Sequence, residues 1–126
     1  MLLDCEGLSK LYHDDRTIAA LMHAAQESRI RVGTSVMTLL EADDKKVHPA
    51  RIKWILSRID VHAITHEIAD RAAELLRTHR LHGHKYAIDA VFAAVARSSP
   101  PPVTVLTSDP EDLSLLCGAA VKIIRV

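Results

Sequence analysis

Five short apolar runs, separated by segments with helical periodicity, are the feature that most constrains how this chain can fold. The runs cover residues 1–3, 30–32, 61–64, 103–106 and 121–126. Each is short and bounded by turn or capping residues, as is typical of a strand buried on both faces of a sheet. Strands that alternate with helices predict an α/β fold, in which helices cover both faces of a parallel sheet of about five strands.

Capping residues mark the expected start of each helix between these runs. The candidates are Asp15 or Thr17, Thr34 or Ser35, Pro49, Thr65 and Gly83. The helix that Gly83 opens must end before residues 100–102, because three consecutive prolines cannot continue a helix. No internal repeat or interdomain linker is visible, so residues 1–126 are predicted to form a single domain.

The charge balance excludes a global attraction to one class of partner. The chain has 16 basic and 16 acidic residues, so no net positive field favours nucleic acid and no acidic excess favours a basic partner. Any binding surface must therefore be local.

Cysteine usage and the N-terminal segment indicate the compartment. Cys5 and Cys117 are too few for a disulfide framework and lie in apolar segments, which favours a reducing environment. The first residues lack the basic and apolar regions of a signal peptide, and no apolar run approaches the roughly 20 residues of a membrane span. We therefore expect a cytoplasmic protein.

One acidic residue interrupts the most apolar helical segment. In YAIDAVFAAVA, residues 86–96, ten of the eleven residues are apolar and the other is Asp89. Because an unpaired buried carboxylate is costly, such a group takes a cation, a metal ion or a shifted pKa. Lys85, four residues earlier, is one candidate partner, and an ion pair with it would need no function.

Three further acids are expected near Asp89, because ligands of parallel α/β sheets bind beyond the carboxyl ends of the strands. Asp4 follows the first apolar run, Asp109 follows the fourth, and Glu41 closes the apolar stripe of the helix after the second. Each has a simpler explanation when taken alone. Asp4 can cap a short helix at residues 7–11, Asp109 can cap the helix that follows it, and Glu41 can be surface charge. Four acids together favour a shared site.

Four segments resemble, in their order and approximate separations, the four acid-bearing motifs of the PIN domain. They are LLDCEGLSKL at the N-terminus, TSVMTLLEA at 34–42, HKYAIDAVFAAVA at 84–96 and VTVLTSDPEDLSLL at 103–116. The likeness spans essentially the whole chain, and within the family it is greatest to the small single-domain toxins of the VapC type, from bacterial toxin–antitoxin pairs. It implies a PIN-like three-layer sandwich over residues 1–126.

The resemblance also implies a site chemistry. By position, its four catalytic and metal-binding acids are Asp4, Glu41, Asp89 and Asp109, which would bind Mg²⁺ or Mn²⁺ and hydrolyse RNA. Hard divalent cations take oxygen ligands, and Mg²⁺ needs only one or two carboxylates because it keeps several waters. Such ions activate water and neutralise charge on a phosphodiester transition state. The family likeness further implies a small antitoxin protein as partner, and a possible homodimer.

Two departures from the family pattern concern the surroundings of this site. Glu6 stands where a small hydroxyl or amide residue is expected, so it either adds a fifth acid to the pocket or points elsewhere. Asp112 is a further accessory candidate whose alternative role is to orient the loop, and excess carboxylates raise one another's pKa. The region 42–60 is shorter than expected for VapC-like toxins, in which it helps shape the substrate groove. Five basic residues in it can contact phosphates or serve as solubilising charge: Lys45, Lys46, Arg51, Lys53 and Arg58.

Other site chemistries lack their expected setting. His62 and His66 have i,i+4 spacing, but His62 is predicted to lie in a strand before Thr65, which breaks helical chelation. His82 and His84 lie just before the Asp89 helix, where a role near the substrate stays open. With only four glycines, the chain has no nucleophile elbow, phosphate loop or dinucleotide fingerprint.

The sequence therefore predicts a Mg²⁺- or Mn²⁺-dependent ribonuclease, the toxin of a toxin–antitoxin pair. One alternative is a catalytically weak PIN-like module that binds nucleic acid or protein. Another is a plain α/β binding domain unrelated to PIN, whose acids would lie more than about 10 Å apart, too far to share a two-metal site.

Overall fold

The computed structural model describes all residues, 1–126, and contains one parallel five-stranded sheet. Its strands are β1 (Leu2–Leu3), β2 (Gly33–Ser35), β3 (Asp60–His62), β4 (Val103–Thr107) and β5 (Val121–Arg125). The order across the sheet is β3-β2-β1-β4-β5, and every neighbouring pair is parallel. The predicted α/β fold class is confirmed.

Seven helices connect these strands. They are α1 (Cys5–Tyr12), α2 (Arg16–Glu27), α3 (Val36–Ala42), α4 (Pro49–Leu56), α5 (His66–Thr78), α6 (Gly83–Ser98) and α7 (Pro110–Cys117). Of the paired capping candidates, Asp15 caps α2 by accepting the Ile18 N–H, and Ser35 caps α3 by accepting the Thr38 N–H. Thr65 caps α5, and Pro49 occupies the first turn of α4, as predicted.

Helices cover both faces of the sheet, and alternation along the strands shows how. Leu2 and Val105 pack with α6 and α7, whereas their neighbours Leu3 and Leu106 pack with α1, α2 and α4 on the other face. Successive side chains of a strand point to opposite faces, so two adjacent buried residues contribute to two different cores. Helix α5 packs on the outside of α6.

The second predicted strand was wrong by three residues, since β2 is Gly33–Ser35 and not 30–32. All three of its residues are buried although none is a large apolar side chain. Thr34 satisfies its hydroxyl by donating to the Leu3 carbonyl at 2.8 Å. A Cβ on Gly33 would lie 2.9 Å from the Asp60 carbonyl oxygen, so glycine allows the close approach of β3. Ile30, in the predicted run, is 52% exposed.

Two smaller boundaries also differ from prediction. The third strand begins one residue earlier and ends at His62, before the predicted end at residue 64. The short helix expected at residues 7–11 extends over Cys5–Tyr12, because Asp4 caps it from directly after β1.

No helix combines the length and the apolar character needed to cross a membrane. Cys5 and Cys117 are both free thiols, and Cys117 is buried.

Candidate active site

Two of the predicted acids follow the carboxyl ends of neighbouring strands. Chain order runs outward from β1 through β2 to β3, then returns to the other side of β1 with β4, so the order reverses between β1 and β4. Ligands of open α/β sheets bind beyond the carboxyl ends of the strands at such a switch point. Asp4 directly follows β1, and Asp109 lies two residues beyond β4.

Asp4 is held by the start of α1. Its Oδ1 accepts the Gly7 N–H at 2.9 Å, and its own N–H donates to the Leu106 carbonyl at 3.2 Å. A Cβ on Gly7 would lie 3.1 Å from that same carbonyl oxygen, so the glycine lets α1 approach β4 closely. The capping role considered for Asp4 is therefore real, and it fixes a half-buried carboxylate at the end of β1.

Asp109 occupies the N-cap position of α7, but its side chain makes no capping hydrogen bond. Its N–H donates to Thr107 Oγ1 at 3.0 Å, and its side chain is exposed. The Thr107 hydroxyl also lies near Asp4 and lowers the pKa of that carboxyl group. Thr107, which is fully buried, thus joins the two acids, and sequence reasoning missed it. The T-S-D sequence, with a hydroxyl two residues before the acid, was the available signal.

Asp89 lies in the second turn of α6, where burial of the helix begins. Residues from Ala90 onward pack into the core, whereas Ala87 and Ile88 are exposed and Asp89 is half-buried. The candidate ion pair with Lys85 is not formed, because the Lys85 ammonium lies over the Tyr86 ring, 5.0 Å from its centroid.

Glu41 reaches the site from α3. This helix follows β2, packs against α1 and contacts α6, so it lies beside the elements that carry Asp4 and Asp89. Glu41 is exposed.

The pKa shifts show that these carboxylates lie within one another's electrostatic influence. Burial raises the pKa of Asp4 and outweighs the lowering by the Gly7 N–H and the Thr107 hydroxyl. Although Glu41 is exposed as a residue, partial desolvation of its carboxyl group raises its pKa, and the charges of Asp89 and Asp4 raise it further. The pKa of Asp89 is raised by burial, then by the charges of Asp112, Asp109 and Asp4.

No cation within the protein compensates this group of acids. The structure has six ion pairs, and their acidic members are Asp14, Glu27, Asp44, Asp60, Glu67 and Asp70. None of the four predicted site acids, nor Glu6 or Asp112, is among them. Charge repulsion among the site acids is therefore opposed only by hydrogen bonds and solvent.

The two accessory acids lie on opposite sides of the site. Glu6 is exposed in the first turn of α1, and its charge contributes to the raised pKa of Asp4. Asp112 is half-buried in the first turn of α7, and among the neighbouring charges it raises the pKa of Asp89 most.

Cys5, which follows Asp4, was not predicted to lie at the site. Burial and the charges of Glu41, Glu6 and Asp4 raise its pKa to about 11. The thiol therefore stays protonated at neutral pH, which argues against a cysteine nucleophile because the thiolate is the reactive form.

The donor chemistry fits a hard divalent cation, although the side chains do not form a closed cage. No three histidine, cysteine, aspartate or glutamate side chains converge closely enough to hold a metal ion. Mg²⁺ is typically bound by one or two carboxylates and several waters, so it does not require such a set. The half-buried pair, Asp4 and Asp89, has the oxygen donors and the uncompensated charge for direct ligation.

The basic residues predicted between 42 and 60 are partly engaged elsewhere. Arg51 donates to the Tyr12 carbonyl at 2.8 Å, and Arg58 lies 4.3 Å from the centroid of the Trp54 ring. The remaining three, Lys45, Lys46 and Lys53, are exposed and form no ion pair. His62 ends β3 and His66 begins α5, on either side of the Thr65 cap.

One cavity of the molecule lies away from these acids. It measures about 600 Å³ and runs between α2 and α4, and its lining includes the exposed apolar residues Ile30 and Trp54. None of the predicted site acids lines it.

Comparison with known proteins shows a shared fold without detectable sequence similarity. No protein-family model matches the chain, and no curated protein matches it in sequence. Among solved structures, it is similar to a chain in the crystal structure of VapBC2 from Rickettsia felis bound to a DNA fragment from their promoter. The TM-score is 0.69 at 12% identity, and the match covers 99% of this chain and 97% of that one. The fold is thus shared over almost the full length of both chains.

Proposed function

We propose that the chain is a Mg²⁺- or Mn²⁺-dependent ribonuclease, with Asp4, Glu41, Asp89 and Asp109 as its catalytic acids. One observation supports the proposal: the pKa values of Asp4, Glu41 and Asp89 are all raised, neighbouring carboxylates add to each rise, and none of the four acids has a cationic partner. Carboxylates so arranged are suited to binding a divalent ion.

Within this proposal, the chain's own residues divide the work. Asp4 and Asp89 would hold the ion, with Asp109 and Glu41 acting directly or through bound waters. When bound, the metal supplies activation of water and neutralisation of charge on the phosphodiester. The Gly7 N–H holds the Asp4 carboxylate in place, and both this N–H and the Thr107 hydroxyl favour the ionised form of Asp4.

Cleavage of RNA by charge-neutral variants tests the activity. We expect the purified protein to cleave single-stranded RNA with Mg²⁺ or Mn²⁺, and Asp4→Asn and Asp89→Asn to lower the rate by at least about 10²-fold, because each change keeps the shape and removes a metal-binding charge. Asp70→Asn, on the exposed side of α5, is the matched control and should cleave normally. Unchanged cleavage by Asp89→Asn would sink the assignment.

The second candidate is a catalytically weak PIN-like module that binds nucleic acid or another protein. The observation in its favour is that no three potential ligands converge to hold an ion. This candidate predicts RNA binding without cleavage at any concentration of Mg²⁺ or Mn²⁺, so the same assay separates the two.

We also propose that the protein is the toxin of a toxin–antitoxin pair. The similar solved structure is a VapBC2 complex. In addition, the cavity between α2 and α4, here called the groove, exposes the apolar side chains Ile30 and Trp54, as is typical of a surface that binds a protein partner. We expect the product of an adjacent reading frame to bind the purified protein and to inhibit cleavage. Trp54→Ala should weaken that binding, and Leu40→Ala, an exposed apolar residue outside the groove, should not. An unchanged affinity of Trp54→Ala would exclude the groove as the binding surface.

A further inference from the structure

The turn between α5 and α6 carries positive charge that nothing in the protein compensates. Residues 77–85, which we call the basic turn, contain three cations and three histidines: Arg77, Arg80, Lys85, His79, His82 and His84. No acid occurs between Glu74 and Asp89. All three cations are exposed, and none forms an ion pair.

Most other arginines have a structural partner. Arg31 pairs with Asp60 at 2.8 Å, Arg71 with Glu67 at 3.0 Å, and Arg51 with Asp14 at 3.7 Å. Arg97 and Arg125 donate to backbone carbonyls at 3.2 Å. Arg77 and Arg80 have no such partner, as is also true of Arg16 and Arg29, so the basic turn is distinguished by the number of unpaired charges that it brings together.

The packing of α5 against α6 places the basic turn beside the acids. Arg71 near the start of α5 donates to Ser98 at the end of α6, at 2.6 Å, so the two helices run antiparallel. The end of α6 leads to the amino end of β4, and its start therefore points to the carboxyl end of the sheet, where Asp4 and Asp109 lie. Lys85 is one helical turn before Asp89 on the same helix face.

We propose that the basic turn binds RNA phosphates that flank the cleaved one, with Arg80 and Lys85 as phosphate-binding residues. The inference rests on the proposed ribonuclease function. Although the chain as a whole has balanced charges, unpaired acids and unpaired cations lie next to each other at this site. Lys85 and Asp89 form no ion pair with each other, although their i,i+4 spacing permits one. RNA supplies a ligand for both: its phosphates pair with the cations, and a metal ion links the acids to the phosphate that is cut.

Salt-dependent binding tests this without cleavage. The affinity of the protein for a labelled single-stranded RNA is measured in EDTA at several salt concentrations. Because each phosphate contact to a single strand contributes about 0.7 to the slope of log affinity against log salt, Arg80→Gln/Lys85→Gln should reduce that slope by about 1.4 and weaken binding at low salt.

The chain offers a closely matched control. Arg29 and Arg80 both follow a helix, are exposed and have positive φ, 56° and 54°. Lys122 is exposed near the amino end of β5, opposite the site. Arg29→Gln/Lys122→Gln removes the same charge and should keep the wild-type slope, and thermal unfolding of both variants verifies the fold.

The outcomes separate this inference from the proposed function. A smaller salt dependence of RNA binding in the basic-turn variant, but not in the control variant, supports the inference. It does so even if the protein never cleaves RNA, because absence of cleavage would refute only the ribonuclease proposal. Equal effects of both variants, no effect of either, or no RNA binding by the wild type would overturn it. In cleavage assays, the basic-turn variant should raise KM and leave kcat unchanged.

Discussion

At the scale of single residues, the four predicted site acids are distinguished by forming no ion pair, although Asp4 also caps α1. Six other acids form ion pairs, whereas Asp89 is half-buried among like charges. Position in the sequence was sufficient to nominate the four acids, because each follows or borders an apolar segment. It did not reveal Thr107 or Cys5, because their roles depend on which strands are neighbours, nor that Lys85 leaves Asp89 unpaired.

Replacing Asp89 by Asn should stabilise the metal-free protein at neutral pH. The raised pKa means that the native state binds this proton more tightly than the unfolded state does, so the contribution to stability is present at acid pH and lost as pH rises through the native pKa. Asn cannot ionise. In EDTA, the gain in unfolding free energy of Asp89→Asn over wild type should therefore grow from acid to neutral pH, measured by urea titration.

The control is again Asp70→Asn, whose change in unfolding free energy should stay within about 0.5 kcal/mol and show no such growth with pH. A variant Asp89→Asn that loses stability as pH rises, relative to wild type, would contradict the predicted electrostatic cause.

At the scale of elements, caps were predictable and the second strand was not. A cap is a local hydrogen bond, so Asp15, Ser35 and Thr65 could be nominated from sequence. Strand β2 is buried through hydroxyl bonding and a close backbone approach at Gly33, features that an apolar pattern does not carry. On α6, Ala87 is exposed, whereas Ala90 and Ala94 pack against Ala72 of α5.

The alanine contact between α5 and α6 can be tested directly. Ala90 is fully buried where the two helices meet, so Ala90→Leu should force them apart and cost about 1–3 kcal/mol of unfolding free energy. Ala87→Leu, one turn earlier on the exposed part of the same helix, should change it by less than about 0.5 kcal/mol. Chemical denaturation measures both, and equal costs would mean that the alanine contact is not tightly packed.

At the scale of the whole molecule, fold class followed from the alternation of elements, but strand order did not. Which strands become neighbours depends on packing between residues far apart in the chain, so the adjacency of β1 and β4 had to come from the structure. That adjacency places Asp4 and Asp109 beyond the ends of neighbouring strands. A bound cation would therefore link segments from both ends of the sequence.

Divalent metal should accordingly stabilise the entire fold. A ligand that binds only the native state at 100 times its Kd adds about 2.7 kcal/mol, so Mn²⁺ or Mg²⁺ should raise the Tm of the wild type. The rise should shrink in Asp89→Asn and persist in Asp70→Asn. Sodium chloride at matched ionic strength controls for screening. An unchanged Tm of the wild type at saturating metal would argue strongly against the site.

Helix α6 is anchored over one half only. From Ala90 to Ala96 it is embedded between the sheet and α5, whereas residues 83–88 project past the core with exposed or half-buried side chains. Local opening is cheapest where few buried contacts resist it. Backbone amides of residues 84–88 should thus exchange their hydrogens faster than those of residues 92–96. Asp89 lies at the boundary between the two halves. The buried half of α6 therefore holds its backbone in place, while the basic turn before it can fluctuate and adapt to a ligand.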